Sequence, residues 1–292
     1  MDRITMLGTG HAMTFSCFNT CFVYENENGR LLVDTGGGNG LVAQMQKVGM
    51  NPGEMDALFI SHRHTDHITG LAWVLRSLGG PGREKPLTMY LHEDVYRVAV
   101  GFIDLLFPDD KENLMKNIRL VKIQDGDTGE ILGRPVQFFD LNSPNVPQFG
   151  FVMTLPTGKR FVFHGDVPFH ECNRQRLQGA EILMHEAFHM SGQQPGPMPG
   201  GPGKPGTPPG PMPGGPGMPP PGGKPGKPGR MGHSTVQEAA GYGESLGAET
   251  LILVHGSDND LSNRKEKYME EASEVFAGKI YAPNDLDVIE LE

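Results

Sequence analysis

The segment Ser61-His-Arg-His-Thr-Asp-His67 sets three imidazoles and a carboxylate within six residues, directly after the apolar run Ala57-Leu-Phe-Ile60. Imidazole and carboxylate together suit Zn²⁺, Mn²⁺ or Fe, and the absence of cysteine argues against a purely structural thiolate site. The alternation of His62 and His64 suits an extended loop, after which Asp66 and His67 open a helix. Ile68, Leu71, Ala72, Leu75 and Leu78 then keep helical spacing. A strand, a loop bearing metal-capable groups and a helix, in that order, predict a layered α/β fold whose chemistry sits at strand ends.

The same grammar recurs along the chain. Leu31-Leu-Val33 is followed by Asp34, Phe161-Val-Phe163 by His164-Gly-Asp166, Ile182-Leu-Met184 by His185-Glu186, and Leu251-Ile-Leu-Val254 by His255. Each run has the length of a buried strand. Phe151 to Phe163, interrupted by Pro156-Thr-Gly158, reads as a hairpin. Thr235 with Glu238 forms a capping box for a helix running toward Gly243 or beyond. Polar groups at the end of strand after strand are hard to explain by packing alone.

One stretch breaks the pattern. From Gln193 to Arg230 the chain is mostly Pro and Gly, without an acidic residue, and Gly196-Pro-Met-Pro-Gly-Gly-Pro-Gly203 recurs as Gly210-Pro-Met-Pro-Gly-Gly-Pro-Gly217. The glycine spacing is not a strict three, which excludes a collagen helix. Such a composition buries too little apolar surface to offset the entropy of ordering, so residues 191–230 read as a flexible insertion in one domain made of 1–190 and 231–292. Lys204, Lys224, Lys227 and Arg230 make it mildly basic, but no aromatic residue accompanies them, which favours a solvated loop over a substrate arm.

At 292 residues the chain can bury a sizeable core, and its net charge of −10 argues against broad, sequence-independent nucleic-acid binding. Met1 to Gly10 reads as a strand and turn rather than a signal peptide, and no apolar run approaches a membrane span. Cys17, Cys21 and Cys172 are too few and too unevenly placed for a disulfide framework, so the reducing cytoplasm is the expected compartment. Gly36-Gly-Gly-Asn-Gly40 lacks the Lys-Ser/Thr ending of a phosphate loop and reads as a tight turn.

The His62–His67 segment resembles the HxHxDH motif of metallo-β-lactamase-fold hydrolases. Leu32-Val-Asp-Thr-Gly36, Phe163-His-Gly-Asp166, Met184-His-Glu-Ala187, Gly232-His-Ser-Thr235 and Val254-His255 match supporting motifs in order. The last-but-two and last-but-one of these are similar to the ribonuclease Z-like branch, which includes tRNA 3′-end nucleases and anti-Pycsar-type cyclic-nucleotide phosphodiesterases. The resemblance implies a four-layer αββα sandwich and two divalent ions, Zn or Mn. His62 and His64 would hold one ion, Asp66, His67 and His255 the other, with Asp166 bridging and Asp34 orienting the ligand loop. Where that family has a further His before a Gly-Phe or Gly-Tyr pair, this chain has Asn142, so Asn142 is expected to be a poor ligand that weakens the first site. His164 offers a less favoured substitute.

A two-metal phosphodiesterase also needs a proton for the departing alkoxide. His233, just before the capped helix, is the candidate acid; the helix N-terminus disfavours its imidazolium form, and Glu186 is the carboxylate that the resemblance supplies to restore it. Asp66 joins His233 and Glu186 as a catalytic group. His11 faces the site from a glycine turn, whereas His92, His170 and His189 have no evident partner. Ribonuclease Z enzymes carry a long arm before the Gly-Asp motif; here that region is the short 151–163 hairpin. A small phosphodiester such as a cyclic nucleotide is therefore favoured over precursor tRNA. The alternatives are a hydrolase of a lactone, thioester or sulfate ester, and a degenerate binding protein whose Pro-rich loop docks on a partner. A homodimer is expected by analogy only, and no membrane association is expected.

Overall fold

The computed structural model describes residues 2–78, 85–192 and 232–291. The proline- and glycine-rich reading falls, from residue 193 on, outside the described residues. Chain order begins with β1 (Asp2–Gly8), β2 (Cys21–Asn26), β3 (Gly29–Val33), α1 (Gly40–Lys47), β4 (Ala57–Phe59), α2 (Thr65–Ile68) and α3 (Leu71–Ser77). It continues with β5 (Leu87–His92), α4 (Glu93–Leu106), α5 (Lys111–Lys116), β6 (Ile118–Ile123), β7 (Thr128–Ile131), β8 (Arg134–Asp140), β9 (Phe149–Thr154) and β10 (Arg160–Phe163). It closes with α6 (Arg174–Leu177), β11 (Ile182–Glu186), α7 (Val236–Leu246), β12 (Thr250–Val254), α8 (Leu261–Ser273), β13 (Lys279–Tyr281) and β14 (Val288–Leu291).

These strands form two seven-stranded sheets, ordered β14-β1-β2-β3-β4-β5-β6 and β13-β12-β11-β10-β9-β8-β7. The short apolar runs become strands because both faces of each have an apolar layer to enter. Successive side chains point to opposite faces: Leu31, Val33, Ala57 and Phe59 enter the core between the sheets, while Leu32 and Leu58 pack under the helices of the first sheet. In β12, Ile252 and Val254 face the other sheet, and Leu251 and Leu253 face the second helical layer. The result is the expected four-layer αββα arrangement. Among the described residues no helix is long and apolar enough to cross a membrane.

The parallel segments fix where polar groups gather. β3 pairs with β4, β10 with β11 and β11 with β12, all in parallel. Asp34, Ser61, Asp166, Glu186 and His255 therefore emerge at the same edge, where the backbone N–H of Phe149 donates to Ser61 O at 3.0 Å and ties the sheets together. The expected 151–163 hairpin is the antiparallel β9–β10 pair, joined through Leu155–Lys159. The capping box is present: Glu238 N donates to Thr235 Oγ1, and Thr235 N to Glu238 Oε2.

The helix expected after His62–His67 is broken into α2 and α3 at Thr69-Gly70, and close backbone contact explains the break. Gly70 N donates to Gly36 O at 3.0 Å, and Thr35 N donates to His67 O at 2.8 Å. A Cβ on Gly70 would stand 2.0 Å from Thr35 O. Gly70→Ala is thus expected to destabilise the fold by about 1–3 kcal/mol, as overpacking typically does, and to loosen the joint that holds Asp34 against His67. A denaturant midpoint equal to that of the unaltered protein would contradict this close-contact role.

Candidate metal centre

Asp34 organises the ligand loop. Its backbone is left-handed, with φ 57°, a conformation that Asp tolerates better than most residues. That turn lets one carboxylate accept from Ser61 N at 2.7 Å and Ser61 Oγ at 2.8 Å, while His67 Nδ1 lies 2.8 Å from Oδ2. With Nδ1 engaged, His67 presents Nε2 inward; a carboxylate behind an imidazole commonly fixes the tautomer of a metal ligand. His255 also adopts a left-handed backbone, φ 59°, just beyond β12. Such strain in a bulky residue persists only where its surroundings hold it.

Asp166 stands at the centre. One of its oxygens lies 3.6 Å from His62 Nε2 and 3.5 Å from His67 Nε2, and the other 2.8 Å from His255 Nδ1 and 3.2 Å from His233 Nδ1. Asp66 Oδ2 is 3.2 Å from His67 Nε2 and 3.6 Å from His255 Nε2. His62, His67 and Asp166 form one group with donor atoms within 4.8 Å of each other, and Asp66, His67 and His255 form another. His67 Nε2, Asp166 Oδ1 and both ring nitrogens of His255 are buried yet make no aligned hydrogen bond. Buried polar atoms without partners are costly. Lone pairs converging this closely, at the mouth of strand after strand, fit a pair of divalent cations.

The electrostatics agree. Burial alone would raise the Asp66 carboxyl, but His67 and His255 hold it well below the usual carboxylate range. Burial would lower His67, but Asp66 and Asp34 carry it well above the usual imidazole range; His255 is raised against burial by Asp166 and Asp66. A cation must displace those protons, because only neutral imidazole is a ligand. Metal affinity is therefore expected to fall on acidification and binding to release protons. Calorimetry in buffers of different ionisation enthalpy measures that release; a buffer-independent heat would contradict it.

The general-acid candidate lies alongside. His233 Nδ1 is 2.6 Å from Glu186 Oε2, and the other oxygen of Glu186 accepts from Ser234 N at 2.8 Å. Burial works against the imidazolium, yet Asp166 and Glu186 push His233 up to about 10. Glu186 is fully buried, and burial raises its carboxyl.

Other expectations need correction. Asn142 is not brought among these donors. It is exposed and left-handed, φ 58°, with Asp140 Oδ1 accepting its N–H, and its amide lies 3.1 and 3.3 Å from the ring nitrogens of His170. His164 does not line the site either: it stacks on His185 at 4.6 Å, beside Phe139 and Phe169 in the helix-side layer. His64, by contrast, stands beside the first donor group: it is exposed, and its Nδ1 lies 2.8 Å from His62 Nε2. His92, read as partnerless, is buried, stacked on Phe149 at 4.7 Å with Nε2 3.2 Å from Ser61 O. His170 likewise gains Asn142 and caps a short turn through Cys172 N. The ring of His11 lies 6.3 Å from that of His255. The sequence reading missed Ser61 as the link between Asp34 and the ligand loop, and Phe188 as an aromatic wall; a serine or phenylalanine beside a motif carries no distinguishing signal.

The profile of the Beta-lactamase superfamily domain matches residues 29–256. Ribonuclease Z of Halorubrum lacusprofundi is 25% identical over 336 aligned positions, covering 99% of this chain and 97% of its own. Among solved structures, the metallo-beta-lactamase fold protein YhfI from Bacillus subtilis superposes with TM-score 0.69 at 17% identity, covering 99% of this chain and 100% of its own. The short form of human tRNase Z gives 0.68 at 19% identity, covering 99% of each chain.

Proposed function

Since the chain belongs to the beta-lactamase superfamily, we propose that this metal-dependent hydrolase is a phosphodiesterase acting on a small phosphodiester such as a cyclic nucleotide. The observation that carries the reading is the pairing of two donor groups around Asp166 with the adjoining His233–Glu186 pair. A carbon ester would need the first feature more than the second, because its leaving group asks less of an acid. The ribonuclease Z name of the curated relatives supports phosphodiester chemistry.

His62 and His64 would hold one ion, Asp66, His67 and His255 the other, and Asp166 both. When bound, the ions supply an acidified water and neutralise charge developing on phosphate. The chain's own contribution is the proton. Glu186 engages Nδ1 of His233, leaving Nε2 to protonate the leaving oxygen as its bond to phosphorus breaks, while the oxygen of water takes its place on phosphorus. His233 regains a proton from water. Small size of the substrate is supported by the direct Leu155–Lys159 connection where an arm would project, and by the net charge of −10.

The test is turnover of bis(p-nitrophenyl) phosphate, a 3′,5′-cyclic nucleotide and a precursor tRNA by protein loaded separately with Zn²⁺ and Mn²⁺. Metal-dependent hydrolysis of the first two, with little cleavage of the tRNA, is expected. Efficient tRNA cleavage would overturn the size preference, and no hydrolysis of any phosphodiester with either ion would overturn the reaction class.

A further inference from the structure

The proposed acid has one ring face covered by a side chain that no motif explains. Phe188 lies nearly parallel to His233, ring centroids 4.8 Å apart at 13°. Its ring also lies 4.3 Å from that of His11. The backbone of Phe188 is tied on both sides: its N–H donates to Ser234 O at 2.9 Å, and its carbonyl accepts from Ser257 N at 2.9 Å and Tyr268 Oη at 3.1 Å. Ser234 is the neighbour of His233, and Ser257 follows His255 by two residues. Phe188 is thus anchored to the segment before α7 that carries His233 and to the one after β12 that carries His255.

Glu186 alone does not fix the imidazole. Asp166 Oδ1 also lies 3.2 Å from Nδ1, but contacts at one atom leave the ring a tilt that carries Nε2 through an arc. Of the two rings stacked on it, Phe188 at 4.8 Å and 13° is closer and flatter than His255 at 5.4 Å and 30°. His233 is 28% exposed, so solvent does not prevent the swing. A flat aromatic face stacked against the ring removes that freedom. Phe188 is itself only partly buried, so filling the core does not account for its position.

We propose that Phe188 is a positioning residue for proton delivery: stacked on His233, it holds Nε2 on the line to the leaving oxygen. The inference rests on the acid role of His233. A misplacement of the order of an ångström costs about 10²-fold where geometry is limiting, and partial freedom costs less.

The test compares two methyl aryl phosphates differing only in the leaving group, p-nitrophenol or phenol, with the metal-loaded protein. Phe188→Leu keeps apolar bulk and removes the flat face; Phe188→Tyr keeps the face. Phe188→Leu is expected to lower kcat for the phenyl ester on the order of 10-fold, with KM little changed and the p-nitrophenyl ester much less affected. Phe188→Tyr should restore the rate. NMR gives a second readout: the carbon-bound ring protons of His233, shielded by the aromatic face, should move downfield in Phe188→Leu and not in Phe188→Tyr. Equal losses on both esters, or no loss in Phe188→Leu, would overturn the inference. His233→Ala separates the two claims: if it too shows no leaving-group dependence the acid role itself fails, and if it does while Phe188→Leu does not, only the positioning role fails.

Discussion

Asp166→Ala is expected to lower metal affinity by at least about 10²-fold and to abolish hydrolysis, the most damaging single change in the site. The magnitude follows from position. Changes to groups that merely support a ligand cost 10–100-fold, and Asp34→Ala, which loses the contacts to Ser61 and His67, belongs in that range. Asp166 instead approaches His62 and His67 with one oxygen and His255 and His233 with the other. Its removal weakens both donor groups together and leaves buried imidazoles without their carboxylate. A fold penalty is therefore expected as well, because an unpaired buried charge is destabilising. Asp166→Asn, which keeps the volume and one oxygen, separates the effects: it should fold and still bind metal poorly. Competition with a chromophoric chelator gives the affinity, and far-ultraviolet circular dichroism checks the fold. Two ions bound as tightly in Asp166→Asn as in the unaltered protein would remove Asp166 from its bridging place.

Much of this site was legible because two regularities coincide in the sequence. Short apolar runs mark strands with two covered faces, and a polar residue one to three positions past each run lands on the common edge of parallel strands. Asp34, His62, Asp166, Glu186 and His255 follow from that rule, and Thr235 with Glu238 announces α7 by local chemistry alone. The failures share a cause. His164 fails as a substitute ligand because strand alternation carries it to the helix side with Val162, and Gly165, left-handed at φ 83°, then breaks the alternation and parts Asp166 from it. Asn142 departs for the same reason, its own positive φ redirecting the side chain. The division of α2 from α3 depends on Thr35 pressing against Gly70, a contact between segments far apart in sequence. Periodicity reports what regular backbone does, and each error sits where the backbone stops being regular.

His233→Ala is expected to reduce kcat about 10²–10⁴-fold, the usual span for losing a general acid, but only where the leaving group needs a proton. An alkoxide, such as the ribose oxygen released from a cyclic nucleotide, is a strong base and departs poorly as an anion. The p-nitrophenolate ion is stable near neutral pH and leaves unaided. The variant should therefore retain most activity on bis(p-nitrophenyl) phosphate while losing the cyclic nucleotide. Metal content should stay the same, since His233 is assigned no ligand role. Glu186→Gln should follow the same selectivity with a smaller loss, because the amide still accepts from Ser234 N yet no longer supports the imidazolium at Nδ1. A uniform loss on both substrates with metal content unchanged would mean that His233 orients the phosphate rather than protonating the leaving oxygen. Loss of a metal ion on replacing His233 would instead enlarge the ligand set to the group of Asp166, Glu186, His233 and His255, whose donor atoms also lie within 4.8 Å of one another. The ratio of the two rates, measured alongside metal content, thus decides what the imidazole beside Asp166 is for.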